Sequence, residues 1–293
     1  HRFVRQAQKL KPRYLTMIIP SRWFGGGKGL DDFRREMLND NHIRVLVDYE
    51  NASDCFPGVD IAGGVCYFLW DRDNPGLCDV VNIRNNETMH SVRALNEFDT
   101  FIRHDQAASI VRKVCAFGEP MMSNMVSSRK PFGLPTVARP QESGDILLRW
   151  QNGEGPYRRD EITVGRELID KWKVITSYVG YDHAGNPGKD GKRRVFSKID
   201  ILPPGTICTE TYLVVGNFDT EQEAKKLVAY MKTLFFRFLV AQCMYSHHIT
   251  KEAYRLVPIQ DFSLSWTDEK LYAKYGITDE EIKFIESMVR PME

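Results

Sequence analysis

Apolar positions in this chain fall into short runs and helical stripes separated by polar stretches, and that alternation predicts most of its elements. His1 to Arg13 is basic and amphipathic and reads as the end of a helix feeding a strand, Tyr14 to Ile19, that Pro20 stops. Ser21 to Lys28 is a loop. Gly29 to Asp40 reads as a helix with Leu30, Phe33, Met37 and Leu38 on one face and Asp31-Asp32 in the first turn, where acids favour the helix dipole. Ile43 to Val47 is a strand with Asp48 at its C-terminal end. Val65 to Trp70 carries no charge until Asp71 and predicts a buried strand, with Val80 to Ile83 as its partner. Residues 86–105 are polar and irregular, and Gln106 to Ala116 returns to helical spacing.

The second half alternates strands and loops. Phe117 to Thr136 is rich in Met, Ser, Gly and Pro, and a domain boundary is expected near 117. Asp145 to Trp150, Lys173 to Val179 and Thr211 to Val215 read as strands. Gly180 to Arg194 reads as a glycine-containing tip bearing Lys189, Lys192, Arg193 and Arg194. Thr220 and Glu223 form a capping box, and Ala224, Leu227, Val228, Met231, Leu234, Phe235, Phe238 and Leu239 follow at helical spacing. Thr278 and Glu281 cap a last helix with Ile282, Ile285 and Met288 inward. Strand–helix–strand followed by a hairpin predicts the tail of an open α/β sheet.

At 293 residues, 42% hydrophobic and 27% charged, the composition is that of a soluble globular protein with room for two domains. A net charge of +1 gives no global basic field, so any surface for nucleic acid has to be local. The six cysteines show neither C-x-x-C pairing nor zinc spacing, which predicts reduced thiols in a cytoplasmic protein. No apolar run approaches the roughly 18 residues of a membrane helix.

Candidate chemistry is sparse. Gly25-Gly26-Gly27-Lys28-Gly29 lies between a strand and a helix but lacks the G-x-x-x-x-G-K-[ST] spacing, so it reads first as a flexible connection, with Lys28 or Arg22 free to meet a phosphate. Asp268-Glu269-Lys270 and Glu223-Ala224-Lys225 could be halves of a nuclease metal site, yet each stands where a helix start places its acids. His247-His248 are adjacent, which is poor metal-ligand spacing on a helix. The basic tip is either a solvated loop or a phosphate and groove reader. Ser127-Ser128-Arg129-Lys130 combines hydroxyls and cations before Pro131, a composition suited to phosphate contact. Trp23 and Phe56 are loop aromatics, open to a core or a binding role. Gly63-Gly64 opens the Val65 strand and would let a backbone or a flat ligand come close.

Several of these segments together resemble one family. Met17-Ile18-Ile19-Pro20-Ser21-Arg22-Trp23, Val47-Asp48-Tyr49-Glu50-Asn51 and Phe56-Pro57-Gly58-Val59-x-Ile61-x-Gly63-Gly64-Val65-Cys66-Tyr67-Phe68 resemble the later half of the catalytic domain in adenine-N6 DNA methyltransferases of type II restriction–modification systems, gamma-class enzymes and their fused restriction–methylase relatives above all. Ser127-Ser128-x-Lys130-Pro131-Phe132-Gly133-Leu134, Glu210-Thr211-Tyr212-Leu213-Val214-Val215-Gly216 and the ending from Tyr275 to Glu286 resemble their target-recognition domain. The likeness covers nearly the whole chain. It implies the end of a Rossmann-like methyltransferase sheet over 1–116, followed by an α+β target-recognition domain with C-terminal helices over 117–293.

The resemblance also assigns roles. Phe56 matches the residue that stacks on a target adenine turned out of the duplex, with Gly63 and Gly64 as backbone of the base pocket. DNA contacts are expected from Arg22, Trp23, Lys28, Ser127, Ser128, Arg129, Lys130, Lys189, Lys192, Arg193 and Arg194. The family's Asn/Asp/Ser-Pro-Pro-Tyr/Phe catalytic motif and its glycine motif for S-adenosylmethionine are not present; Leu202-Pro203-Pro204-Gly205 and Asp73-Asn74-Pro75-Gly76 do not match. Both motifs would lie upstream of His1, so the chain reads as a C-terminal piece. No catalytic residue, cofactor or metal is expected in it; S-adenosylmethionine belongs to the parent enzyme, and double-stranded DNA and the upstream half of the polypeptide are its partners. The alternative from a different class is a non-catalytic specificity module docking a partner methylase or nuclease subunit, which an exposed apolar edge at Tyr14 to Ile19 would favour.

Overall fold

The computed structural model describes the chain except residues 28, 85–86, 183–186, 189 and 293. Its contacts divide into two compact units. The first holds 1–109 with 183–191 and 242–247; the second holds 110–182, 192–241 and 248–293. The architecture is mixed α/β, with three sheets and seven α-helices among the described residues.

The first unit opens with α1 (Arg2–Lys9), β1 (Tyr14–Pro20), a 3-10 turn at Ser21–Phe24, α2 (Asp31–Asn39) and β2 (Ile43–Tyr49). Three strands follow: β3 (Val65–Asp71), β4 (Cys78–Arg84) and β5 (Glu87–Arg93). They make one five-stranded sheet in the order β1-β3-β2-β4-β5. β3 lies antiparallel between β1 and β2, β2 runs parallel to β4, and β5 returns antiparallel. Leu15, Met17 and Ile19 of β1 meet Trp70, Phe68 and Cys66 of β3 and face a core built with Trp23, Phe24, Phe33 and Met37. On the other face, Tyr14, Ile18 and Tyr67 remain exposed. β5 corrects the expectation of an irregular stretch after residue 86: it is a half-exposed, polar edge strand, and its burial gives no apolar alternation to read.

In the second unit β6 (Ile146–Trp150), β7 (Gly153–Tyr157) and β10 (Thr206–Cys208) form one three-stranded sheet, and β8 (Trp172–Ser177), β9 (Ile199–Leu202) and β11 (Tyr212–Phe218) another. Phe132, Ile146, Leu148, Ile175, Leu202, Ile207 and Val214 share one core. Lys173 of β8 is 0% exposed, and its ammonium donates to the carbonyls of Leu168 (3.0 Å), Ile169 (2.9 Å), Lys171 (2.6 Å) and Pro203 (3.3 Å).

α3 (Asp105–Cys115) precedes these sheets; α4 (Glu221–Lys232), α5 (Leu234–Gln242), α6 (Asp268–Tyr275) and α7 (Asp279–Met288) follow. The continuous helix expected from Thr220 to Leu239 is two helices. Thr233 adopts extended backbone (φ −60°, ψ 152°), donates its hydroxyl to the Tyr230 carbonyl and accepts from the Phe236 amide. The Asp268 carboxylate accepts from the Leu234 and Phe235 amides, so polar caps interrupt an unbroken apolar stripe. The capping box at Thr278 and Glu281 is present as expected.

Candidate functional site

The loop between β2 and β3 carries Phe56. A 3-10 turn at Ala52–Asp54 leads into it, capped by the Asn51 side chain accepting from the Ser53 amide. The Phe56 amide then donates to Ala52 O (2.8 Å), and Val59 N donates to Phe56 O (3.0 Å). Residues 56–60 are all exposed, and Phe56 keeps 40% of its surface. An aromatic ring held on a tight turn and left half in water is available to a flat partner.

At the base of the loop stands Gly63-Gly64. Both have positive φ (+86° and +79°), which favours glycine. A Cβ on Gly64 would lie 2.1 Å from Tyr49 O and 2.6 Å from Glu50 O; one on Gly63 would lie 2.9 Å from Tyr245 O. The close approach is therefore to the chain's own backbone: Gly64 lets the two feet of the loop abut, and Gly63 lies against Tyr245.

Beneath the feet lies a buried polar cluster that reasoning from sequence missed. Asp48 lies at the end of β2 with Glu50 just beyond it, and Arg103 and His104 come from the segment before α3. Arg103 Nε is 2.8 Å from Asp48 Oδ2, and His104 Nε2 is 2.6 Å from Glu50 Oε1. Ser21 Oγ donates to Asp48 Oδ1 (2.9 Å) and Asn82 Nδ2 to Asp48 Oδ2 (3.2 Å). Burial raises the Asp48 carboxyl against the pull of Arg103. Burial would raise Glu50 too, but the His104 ring beside it and the Arg103 and Arg84 guanidinium groups hold it well below the usual carboxylate range. The only sequence signal was the acidic pair Asp48 and Glu50 at alternate positions of a strand end, pointing to one face.

The other candidate residues scatter. Arg22 is half-buried beside an apolar groove of about 510 Å³ that Ile18, Pro20 and Phe33 also line. Trp23 is a core side chain, 1% exposed, with ring centroids 4.6 Å from Phe24 and 6.0 Å from Phe33. Lys28 lies outside the described residues, as does Lys189. The glycine loop around Lys28 is tied inward: Arg34 donates to Gly25 O (2.6 Å), and Gly27 N donates to Asp31 (3.0 Å).

In the second unit, Ser127 pairs with β11 through its amide and hydroxyl, both bonded to Val214. Ser128, Arg129 and Lys130 are exposed. The Arg129 guanidinium lies 4.7 Å over the Tyr178 ring and 3.1 Å from Glu210, with Lys130 3.8 Å from the same carboxylate. Burial would raise Glu210, but the Thr136 amide and these two cations keep it below its ordinary value. Lys192 is half-buried. Arg193 is a structural residue: 7% exposed, it pairs by backbone with Met288 and Arg290 and donates to Ala241 O. Arg194 stacks 4.6 Å over Tyr181. Asp268-Glu269-Lys270 and Glu223-Ala224-Lys225 stand in the first turns of α6 and α4. No cluster of three or more His, Cys, Asp or Glu suited to a metal occurs among the described residues, and no helix there is long and apolar enough to cross a membrane.

Against known proteins, the first segment decides the likeness. Residues 1–56 match the family model of the Eco57I restriction-modification methylase. A Mycoplasma pneumoniae protein described as an uncharacterized adenine-specific methylase is 37% identical over 75 residues, which span 25% of this chain and 18% of that protein. The crystal structure of the type IIG restriction endonuclease BpuSI superposes at a TM-score of 0.32 and 7% identity over 94% of this chain and 47% of that one. The resemblance to adenine-specific methylases of restriction–modification systems, read first from motifs, is thus found again by independent comparison.

Proposed function

We propose that this chain recognises DNA and positions the target adenine within an S-adenosylmethionine-dependent adenine-N6 methyltransferase of a restriction–modification system. The observation that carries the reading is the Eco57I methylase match over residues 1–56, which runs through β1, α2 and β2 to Phe56. In this reading 1–116 closes a Rossmann-like sheet and 117–293 reads the DNA site. Methylating an exocyclic amine requires the adenine outside the stack, and an exposed ring on a turn is suited to receive it. Phe56 is that ring, and Gly63-Gly64 shape the base of its loop.

Phosphate contacts come from Arg22, Lys28, Ser128, Arg129, Lys130, Lys189, Lys192 and Arg194. The buried Trp23 and Arg193 stay out of the interface. Neither the family's catalytic Pro-Pro motif nor its cofactor motif occurs in these 293 residues, and in this reading methyl transfer and S-adenosylmethionine belong to the parent enzyme. The enzyme works where bacterial DNA is, in the cytoplasm.

The test is affinity for random duplex DNA across a salt series. The reading expects binding whose logarithm falls linearly with log salt. A second reading is a module that docks a partner methylase or nuclease subunit, favoured by Tyr14 and Ile18, exposed on β1 at 53% and 47%, and by the groove beside them. Absence of binding at the lowest salt would favour that second reading.

A further inference from the structure

We infer that Arg103 and Ser21 are positioning residues for Phe56: each ties one foot of its loop to the other through the buried carboxylate of Asp48. The inference rests on the stacking role proposed for Phe56.

The loop leaves β2 after Tyr49 and enters β3 at Val65, so its feet are Asp48-Tyr49-Glu50 on one side and Gly63-Gly64 on the other. Two residues from elsewhere in the chain bridge these feet. Ser21 donates its hydroxyl to Asp48 Oδ1 at 2.9 Å and its amide to the Gly64 carbonyl at 3.0 Å. Arg103 places Nε 2.8 Å from Asp48 Oδ2 and Nη2 3.3 Å from Asp48 Oδ1, and the same Nη2 donates to the Gly63 carbonyl. Consecutive carbonyls of one foot are thus bound by two donors that share the carboxylate of the other.

The guanidinium is itself fixed. Its carbon sits 5.5 Å from the Phe24 ring centroid and 5.1 Å from that of Tyr245, whose hydroxyl donates to the Phe101 carbonyl. Stability alone gives little reason for such an arrangement, because a buried ion pair is often no better than apolar side chains of similar volume. Directional bonds to two named carbonyls do what apolar packing does not. They fix where the loop departs and returns, and so where an otherwise exposed ring at its tip can stand. A lysine at 103 keeps the charge but loses the planar fork that reaches Asp48 and Gly63 together.

The experiment is a double-mutant cycle in the methyltransferase of which the proposed function makes this chain a part. Arg103→Lys and Phe56→Ala are made singly and together, and single-turnover methyl transfer and duplex affinity are both measured. The clamp predicts that each single variant slows transfer about tenfold or more while affinity moves less than about twofold, and that the double variant is no slower than Phe56→Ala. Effects that multiply, or an Arg103→Lys enzyme with full transfer, overturn the clamp and leave the stacking role standing. A Phe56→Ala enzyme with full transfer overturns both.

Should Arg103→Lys fail to fold, Ser21→Ala removes one hydroxyl bond and keeps the amide tie. In the 293-residue chain it is expected to speed amide hydrogen exchange in residues 51–62 while leaving β1 and β3 unchanged. Exchange equal to that of the unsubstituted chain overturns the clamp.

Discussion

Lys173 illustrates what a single side chain carries in this fold. It is the second residue of β8, and backbone carbonyls from two separate turns converge on its ammonium. Burial pushes its pKa from 10.5 down to about 8. Between those values the unfolded chain binds a proton that the folded chain has lost, so stability attributable to this group rises as pH rises through the window. The gain is on the order of 3 kcal/mol. Denaturant unfolding of the wild type and of Lys173→Met at the two ends of the window isolates it. The wild type should gain on the variant with rising pH, and parallel behaviour would mean that the ammonium is not desolvated. Sequence did not expose this lysine, because it stood as the first residue of the expected strand from Lys173 to Val179, where a charge gives no sign of burial. Trp23 erred the other way: its loop position suggested a surface role, but ring packing with Phe24 and Phe33 draws it inside. Asp48 and Arg103 are 55 residues apart in the chain and meet only through the fold, which no local pattern encodes.

At the scale of elements, periodicity was readable wherever one face is buried and the other wet. β1, β2, β3, α3 and α4 all follow expected runs, and β1, β2 and β3 share one core with α2. β7 and β10 escaped because five and three residues hold too little alternation, and β7 contains two glycines and a proline. The break between α4 and α5 was hidden because apolar spacing continues across it. Its cause lies in Asp268, far along the chain, whose carboxylate accepts from the Leu234 and Phe235 amides at 2.9 and 2.8 Å. Asp268→Ala would leave these donors without a partner. A loss of about 1–2 kcal/mol is expected, as for other helix N-caps. It should appear as a lower urea midpoint with an unchanged slope. A midpoint equal to that of the wild type would assign the break to Thr233 alone.

For the whole molecule, the near-zero net charge sharpens what DNA binding has to look like. With 40 basic and 39 acidic residues, no general attraction to phosphate is available, and affinity has to come from local cations. Several of the chain's cations are already engaged: Arg103 with Asp48, Arg193 with backbone, Arg149 with Glu154 and Asp200. Arg129 and Lys130 differ. They are exposed, among the described residues they share the Glu210 carboxylate, and Arg129 rests on the Tyr178 ring, which sets its orientation while more than half of its side chain stays exposed. A phosphate arriving there would meet two side chains that stay about half exposed, and it would compete for them only with the buried Glu210 carboxylate. Each cation that contacts a phosphate adds about 0.9 to the slope of log affinity against log salt on duplex DNA. Replacing Arg129 and Lys130 together by alanine should therefore lower that slope by about 2 and weaken binding to all sequences alike. Arg193→Ala should act differently, lowering the unfolding midpoint and leaving the slope of the folded fraction intact. If the double replacement changes neither affinity nor slope, the segment from Ser127 to Lys130 serves only to seat β11, through the bonds Ser127 makes to Val214.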